Sequence, residues 1–272
     1  MAESGVISAR GGIELRDLNV TFGGNNEGVV AVKDVSFDVV PGEFFCLLGT
    51  SGCGKTTILN VLAGFVSPTS GCARIDGSPI ETPGPDRGMV FQRHALFPWK
   101  TVMGNVAFGL KMKGLSRRER CNVAQRYIDL VGLTGFEKRY PAELSGGMEQ
   151  RVGLARALAL EPRVLLMDEP FGSLDAQTRM MMQELLLGIW EKSDCTVVFV
   201  THDVDEAVLL ADRIIVLTAR PGCVKATIPV SLPRPRAYDM VTSMEYLEIK
   251  RQILALIREE AFRAVADFAV KR

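Results

Sequence analysis

The chain has 272 residues, 47% hydrophobic and 24% charged, a balance that can bury the core of one large domain or two small ones. Its 32 Lys and Arg are matched by 32 Asp and Glu, so no basic surplus favours a nucleic-acid partner, and Arg117-Arg118-Glu119-Arg120 reads as a solvated helix face. None of the six cysteines forms a C-x-x-C pair, which argues against zinc ribbons and dithiol redox pairs. No apolar run approaches the ~20 residues that cross a bilayer, and no secretory h-region opens the chain, so a soluble cytoplasmic protein is expected.

Residues 1–12 are small, polar and Gly-rich, and are expected to fray. Two β-rich stretches follow, Ile13 to Phe22 and Val29 to Val40, around the turn signal Gly23-Gly24-Asn25-Asn26. The apolar run Phe44-Phe45-Cys46-Leu47-Leu48 then leads into Gly49-Thr50-Ser51-Gly52-Cys53-Gly54-Lys55-Thr56, which fits the phosphate-loop pattern G-x-x-x-x-G-K-[ST] at every fixed position. Thr57 opens a helix-like run to Ala63, so the strand, Gly-rich turn and helix that this motif requires are all present. Glycines let several backbone N–H groups converge on one centre, and the following helix N-terminus adds partial positive charge. Lys55 adds a full charge for the outer phosphates, and Thr56 a hydroxyl for Mg²⁺. Cys53 inside this loop suits a reducing compartment, whereas Cys46 and Cys195, within apolar strand-like runs, read as core.

Ser67-Pro68-Thr69-Ser70-Gly71 ends the helix, and a short strand pair is expected across roughly 72–91. Residues 93–160 read as helical: the capping box Ser116-x-x-Glu119 opens a helix to about Val131, Gly132 and Gly135 break it, and a second helix runs from about Gly147 to Leu160. Arg163 to Met167 reads as a strand, Ala176 to Lys192 as a helix, Cys195 to Val200 as a strand, Val204 to Leu210 as a helix and Ile214 to Leu217 as a strand. After a Pro-rich stretch, Thr242-x-x-Glu245 is expected to cap a last helix with apolar residues at 246, 249, 253, 256 and 257. Alternating strands and helices argue a mostly parallel α/β sheet with an inserted helical block.

Further segments narrow the chemistry. Leu144-Ser145-Gly146-Gly147-Met148-Glu149-Gln150-Arg151 precedes a helix-like run, so the Ser145 hydroxyl and the Gly146 and Gly147 N–H groups can offer donors to a phosphate or simply cap a helix. Four apolar residues, Val164 to Met167, end in Asp168 and Glu169. Exposed acids at a strand end are common, so by themselves these two leave the chemistry open.

The first of these segments resembles the L-S-G-G-Q signature of ATP-binding-cassette (ABC) ATPases, and the second resembles their Walker B strand. Other features are similar in order: Gln92 to the Q-loop glutamine, Ser173-Leu174-Asp175 to the D-loop, His202 to the switch histidine, and Phe22 to the aromatic that stacks on adenine. Met148 and Glu149 depart from the usual signature; Glu149 either weakens nucleotide binding slightly or points to solvent. His94 matches no motif and is expected on the surface.

The resemblance implies an α/β P-loop NTPase over residues 13–235. This fold has a mostly parallel core sheet, an N-terminal antiparallel β subdomain and a helical subdomain at about 93–160, with residues 236–272 as a helical tail. It also implies ATP and Mg²⁺ as ligands. Lys55, Gln92, Glu169 and His202 would be catalytic, and Thr56, Gln92 and Asp168 would face the metal. Phe22, Gly49 to Thr57 and Ser145 to Gly147 would bind nucleotide, and Ser173, Leu174 and Asp175 would touch a second subunit.

Leu96-Phe97-Pro98-Trp99-Lys100-Thr101-Val102 and Arg220-Pro221-Gly222 are similar to the nitrate/sulfonate/taurine importer branch. Phe97 and Trp99 would line a groove for a permease helix, or be ordinary core aromatics. The implied protein is peripheral to the cytoplasmic face of the inner membrane. It would be a head-to-tail dimer with itself or a similar ATPase, bound to an integral permease and served by an extracytoplasmic solute-binding protein, with no nucleic acid. A soluble ABC ATPase acting on nucleic acid or ribosomes is the alternative.

Overall fold

The computed structural model describes residues 10–23, 28–92 and 95–270. The expected fraying of the first residues, most of the Gly23 to Asn26 turn, and His94 lie outside the described residues.

Two sheets organise the chain. Strands β1 (Ile13–Phe22), β2 (Val29–Val39), β4 (Ser70–Ile75) and β5 (Ser78–Pro79) form an antiparallel sheet in the order β2-β1-β4-β5. The core sheet has the order β10-β9-β3-β8-β7-β6, built from β3 (Phe44–Leu48), β6 (Arg87–Val90), β7 (Val164–Asp168), β8 (Thr196–Thr201), β9 (Arg213–Leu217) and β10 (Val224–Pro229). All neighbours in it are parallel except β10, which pairs antiparallel with β9 at the edge.

β3 shows why a continuous apolar run forms a central strand. Its five residues are all buried, and alternate side chains enter opposite layers: Phe44, Cys46 and Leu48 join the helical side, Phe45 and Leu47 the side of α1 (Lys55–Ala63) and the antiparallel sheet.

The helical layer contains α2 (Val102–Met112), α3 (Arg117–Leu130), α4 (Gly146–Leu158), α5 (Ala176–Trp190), α6 (Val204–Leu210) and α7 (Met244–Val270). The Ser116–Glu119 capping box forms as expected, with each side chain accepting from the other's N–H.

Three expectations need correction. The segment 72–91 is not a strand pair: β4 and β5 make a hairpin in the antiparallel sheet, while β6 leaves it to pair with β7 in the core sheet. α2 is an additional helix whose signal is weakened by Gly104 and Gly109; Gly109 sits where a Cβ would press on the Leu160 side chain. The cap of α7 is Ser243, which accepts from the Tyr246 N–H at 3.3 Å, because residues 238–242 form a 3₁₀ turn in which Thr242 donates to the Asp239 carbonyl. α7 is also no loose appendage, since Tyr246 and Ile253 are buried in the main core.

Candidate active site

Four adjacent strands deliver the chemistry to one edge. Their order, β3-β8-β7-β6, places the carboxyl ends side by side, and the segments leaving them carry the phosphate loop, His202, Glu169 and Gln92. Open parallel sheets bind ligands at this edge because the loops there are free to converge while the strands are rigid.

The phosphate loop wraps the start of α1. Gly54 occupies the N-cap with φ +96°, a left-handed conformation that a side chain would strain, and a Cβ there would lie 2.8 Å from the Ala31 carbonyl oxygen. No side chain caps this helix, so its first N–H groups are left to a ligand. Lys55 is buried, and its Nζ donates to the carbonyls of Gly49 (2.8 Å) and Thr50 (2.9 Å). Cys53 is fully buried within the loop, and its N–H donates to the Thr50 carbonyl.

Thr56 Oγ1 donates to Asp168 Oδ1 at 3.1 Å. Burial pushes the Asp168 carboxyl above its ordinary value, against the pull of that hydroxyl. A bound divalent cation would reverse this bias. The oxygen donors of Thr56, Asp168 and Gln92 are hard ligands that suit Mg²⁺, which keeps several positions for water and phosphate and needs no dense carboxylate cage. Among the described residues no group of three or more His, Cys, Asp or Glu is placed to hold a metal.

Glu169 is the hub. Its Oε2 accepts from Gln92 Nε2 at 3.2 Å and lies 3.1 Å from His202 Nδ1. Its backbone has φ +43°, unusual for a residue with a Cβ, and is held there by its N–H donating to the Val200 carbonyl at 2.9 Å. The strain turns the carboxylate from the strand end toward the ligand space. A cavity of about 550 Å³ collects Gly49, Lys55, Thr56, Thr57, Gln92, Glu169 and His202. Ala31 and Ile257 also line it, and sequence reasoning anticipated neither. Ile257 belongs to a helix about 200 residues further along the chain than the loop, and no local pattern reveals that proximity.

The remaining expected residues lie elsewhere. Phe22 ends β1 with its ring exposed and does not line the cavity. Ser145 caps α4, accepting from the Met148 N–H at 3.3 Å, and its turn is exposed away from the cavity. Met148 packs against the main core, and Glu149 is half-buried in the first turn of α4. In the D-loop, Ser173 and Asp175 are exposed, and Asp175 caps α5 by accepting from the N–H groups of Gln177 and Thr178. Leu174 is buried against α4, near Gly147, so its side chain is not available to a second subunit as expected. Phe97 is half-buried beside Phe108 (4.6 Å between ring centres) and Trp99 (5.7 Å), whereas Trp99 is 71% exposed.

This combination of fold and strand-end site is that of an ABC ATPase. A family profile described as "ABC transporter" matches residues 32–172, and the chain belongs to that family. It is 47% identical over 252 residues to the nitrate import ATP-binding protein NrtD of Synechocystis sp. (strain PCC 6803), covering 90% of this chain and 95% of that protein. To the taurine import ATP-binding protein TauB of Rhizobium johnstonii it is 46% identical over 244 residues, covering 88% and 93%. Among solved structures it is similar to the dimeric post-hydrolysis state of the ATP-binding cassette MJ0796 bound to ADP and Pi, with a TM-score of 0.74 and 32% identity, covering 81% of this chain and all of that one. The protein is an ATPase subunit of this family.

Proposed function

We propose that this chain is the energy-coupling subunit of an importer for nitrate, a sulfonate, taurine or a related small solute. It would work as a head-to-tail dimer on the cytoplasmic face of the inner membrane, against an integral permease that an extracytoplasmic solute-binding protein supplies. The observation that carries the reading is the Glu169 carboxylate, held by Gln92 and His202 at the rim of the cavity that contains Lys55 and Thr56.

Triphosphate enters the loop against the free N–H groups of α1, and Lys55 exchanges its carbonyl partners for phosphate oxygens. Thr56, Asp168 and Gln92 would hold Mg²⁺, which neutralises charge on the outer phosphates when bound. Glu169 accepts a proton from the attacking water, or orients it, with Gln92 and His202 fixing the carboxylate. Phe22 stacks on adenine. Ser145 and the N–H groups of Gly146 and Gly147 complete the site of a second subunit, and the exposed Ser173 and Asp175 meet that subunit beside it. Support for closure in trans comes from the exposed position of the Ser145 turn, away from its own cavity, and from the dimeric relative. The exposed Trp99 beside Phe97 is an apolar surface suited to a permease helix.

Glu169→Gln keeps the shape and removes the proton acceptor. Turnover should fall by about 10²–10⁴-fold while MgATP binding persists and dimers accumulate on size exclusion. Wild-type turnover in that variant would reject the assignment.

A further inference from the structure

The edge that carries the nucleotide site extends one strand beyond it. β9 lies beside β3 on the side opposite β8, and its carboxyl end runs into the turn 218–223. The turn is closed on itself: the Thr218 N–H donates to the Cys223 carbonyl, the Cys223 N–H to Thr218 Oγ1, and that hydroxyl to the Pro221 carbonyl at 2.7 Å. From this rigid base it grips the phosphate loop. Arg220 Nε donates to the Gly52 carbonyl at 3.3 Å, and Gly222 packs so closely on Cys53 that a Cβ would collide with its carbonyl. The same turn is bonded to β2, with the Gly222 N–H donating to Ala31 and the Lys33 N–H to Gly222, both at 3.0 Å.

Behind the turn stands α7. Glu260, only 4% exposed, accepts from the Ala219 N–H at 3.0 Å and from Lys225 Nζ at 2.6 Å. Lys225 also donates to Glu259 (2.8 Å) and to the Leu256 carbonyl (3.2 Å). Burial alone would push the Glu260 carboxyl up, but the Lys225 and Ala219 bonds outweigh it and hold the group below its ordinary value. One turn earlier on the same helix, Ile257 lines the cavity that contains Lys55 and Thr56. A buried carboxylate, the Ala219 N–H and the neighbouring Arg220 side chain thus link α7 to the loop that binds phosphate, with the half-buried Lys225 ammonium bracing the carboxylate.

We propose that α7 is a working wall of the nucleotide site: Glu260 and Arg220 are positioning residues that set the phosphate loop through the turn 218–223, and Ile257 closes the cavity beside it. The proposal rests on the reading of this cavity as the ATP site. Removing the Glu260 carboxylate leaves the Ala219 N–H without its acceptor and Lys225 with only Glu259 and the Leu256 carbonyl, which releases the turn and, through Arg220, the Gly52 carbonyl. The consequence falls on the fit of the triphosphate rather than on the Glu169 carboxylate, which no part of this chain of contacts touches.

Steady-state hydrolysis and binding of a fluorescent ATP analogue by the full chain distinguish the outcomes. Arg220→Ala and Glu260→Ala should each raise the KM for MgATP about tenfold, the loss of roughly one hydrogen bond's net contribution, with a smaller effect on kcat. Arg220→Lys, which keeps one donor and the charge, should recover much of the affinity. In the wild type, MgATP should slow amide exchange in residues 253–262, and Lys55→Ala should abolish that protection, because coupling between two sites is reciprocal. Should Glu260→Ala fail to fold, the exposed Arg220 carries the same test. A wild-type KM in folded Arg220→Ala and Glu260→Ala, alongside loss of binding in Lys55→Ala, would overturn the proposal and leave the ATP site standing. Retention of ATP binding by Lys55→Ala would bring down the site assignment and the proposal together.

Discussion

Two helices of this protein begin at glycine-bearing turns, and their N-termini are built in opposite ways. α1 begins at a glycine with no capping side chain, beneath a loop whose lysine is buried, at the edge of a sheet whose neighbouring strands add Glu169 and His202. α4 begins at an exposed serine that already satisfies one of its own N–H groups, with no cavity of its own chain around it. In the proposed function the first is a receptor lacking one side, and the second is the lid of a neighbouring receptor. They differ in how their first N–H groups are met: α4 has its cap, whereas α1 has no capping side chain. On that proposal a single copy holds the two halves of a site it does not assemble, and the dimeric relative supports a dimer over a self-sufficient monomer.

The sharpest way to break this contrast is to disable each half separately. Lys55→Ala should lower affinity for MgATP by at least about 100-fold, because a charge-assisted contact to phosphate is lost from a buried site; retained binding would show that the loop is not the receptor. Ser145→Arg should leave MgATP binding intact and abolish turnover. A mixture of Lys55→Ala and Ser145→Arg chains should regain activity, since a mixed dimer holds one receptor and one lid that are both unaltered. No recovery on mixing would refute completion in trans.

A smaller effect concerns the switch beside His202. Glu206 is buried, accepts from Thr201 Oγ1 at 2.6 Å and is pushed up from 4.5 to about 7 by burial, with the Thr201 bond opposing. Gln183 and Arg179 of α5 and Asp203 on the His202 segment surround it. The folded state holds this proton to about pH 7, whereas the unfolded chain releases it near 4.5. The favourable contribution is therefore complete below pH 4.5 and fades as pH rises through 7, by about 3 kcal/mol in total. Glu206→Gln should remove that slope from urea titrations at a series of pH values; an unchanged slope would show that the carboxyl is not the source. The smallest expected effect lies on the lid side. Asp175→Ala deletes the cap of α5 and should cost about 1 kcal/mol, measured as a lowered denaturation midpoint at unchanged m-value.

Much of the receptor was legible because its determinants are local. The phosphate loop needs glycines, a lysine and a threonine at fixed spacing after a buried strand, and Asp168 and Glu169 need only the end of another such strand. The Ser145 turn was legible for the same reason, as a serine-glycine turn before a helix. Contacts that depend on packing between distant segments were not. Leu174 is adjacent to exposed residues yet is buried by α4, and Cys53 sits in the loop but is fully buried. The cap of α7 slipped by one residue because a 3₁₀ turn, stabilised by the fold around it, precedes the helix.

By itself the amino-acid sequence determined the class of fold and the placing of the candidate groups: a glycine-rich loop after one buried strand, two acids at the end of another, and strands and helices alternating around a mostly parallel sheet. Short spacings encode these, since neighbours in the chain are neighbours in space. Only the tertiary structure decided that β6 pairs with β7 in the core sheet to bring Gln92 to Glu169, and that α7 returns to stand behind the phosphate loop. Those placements follow from which apolar faces find each other across a hundred or more residues, and burial, being non-directional, leaves no local mark of its partner.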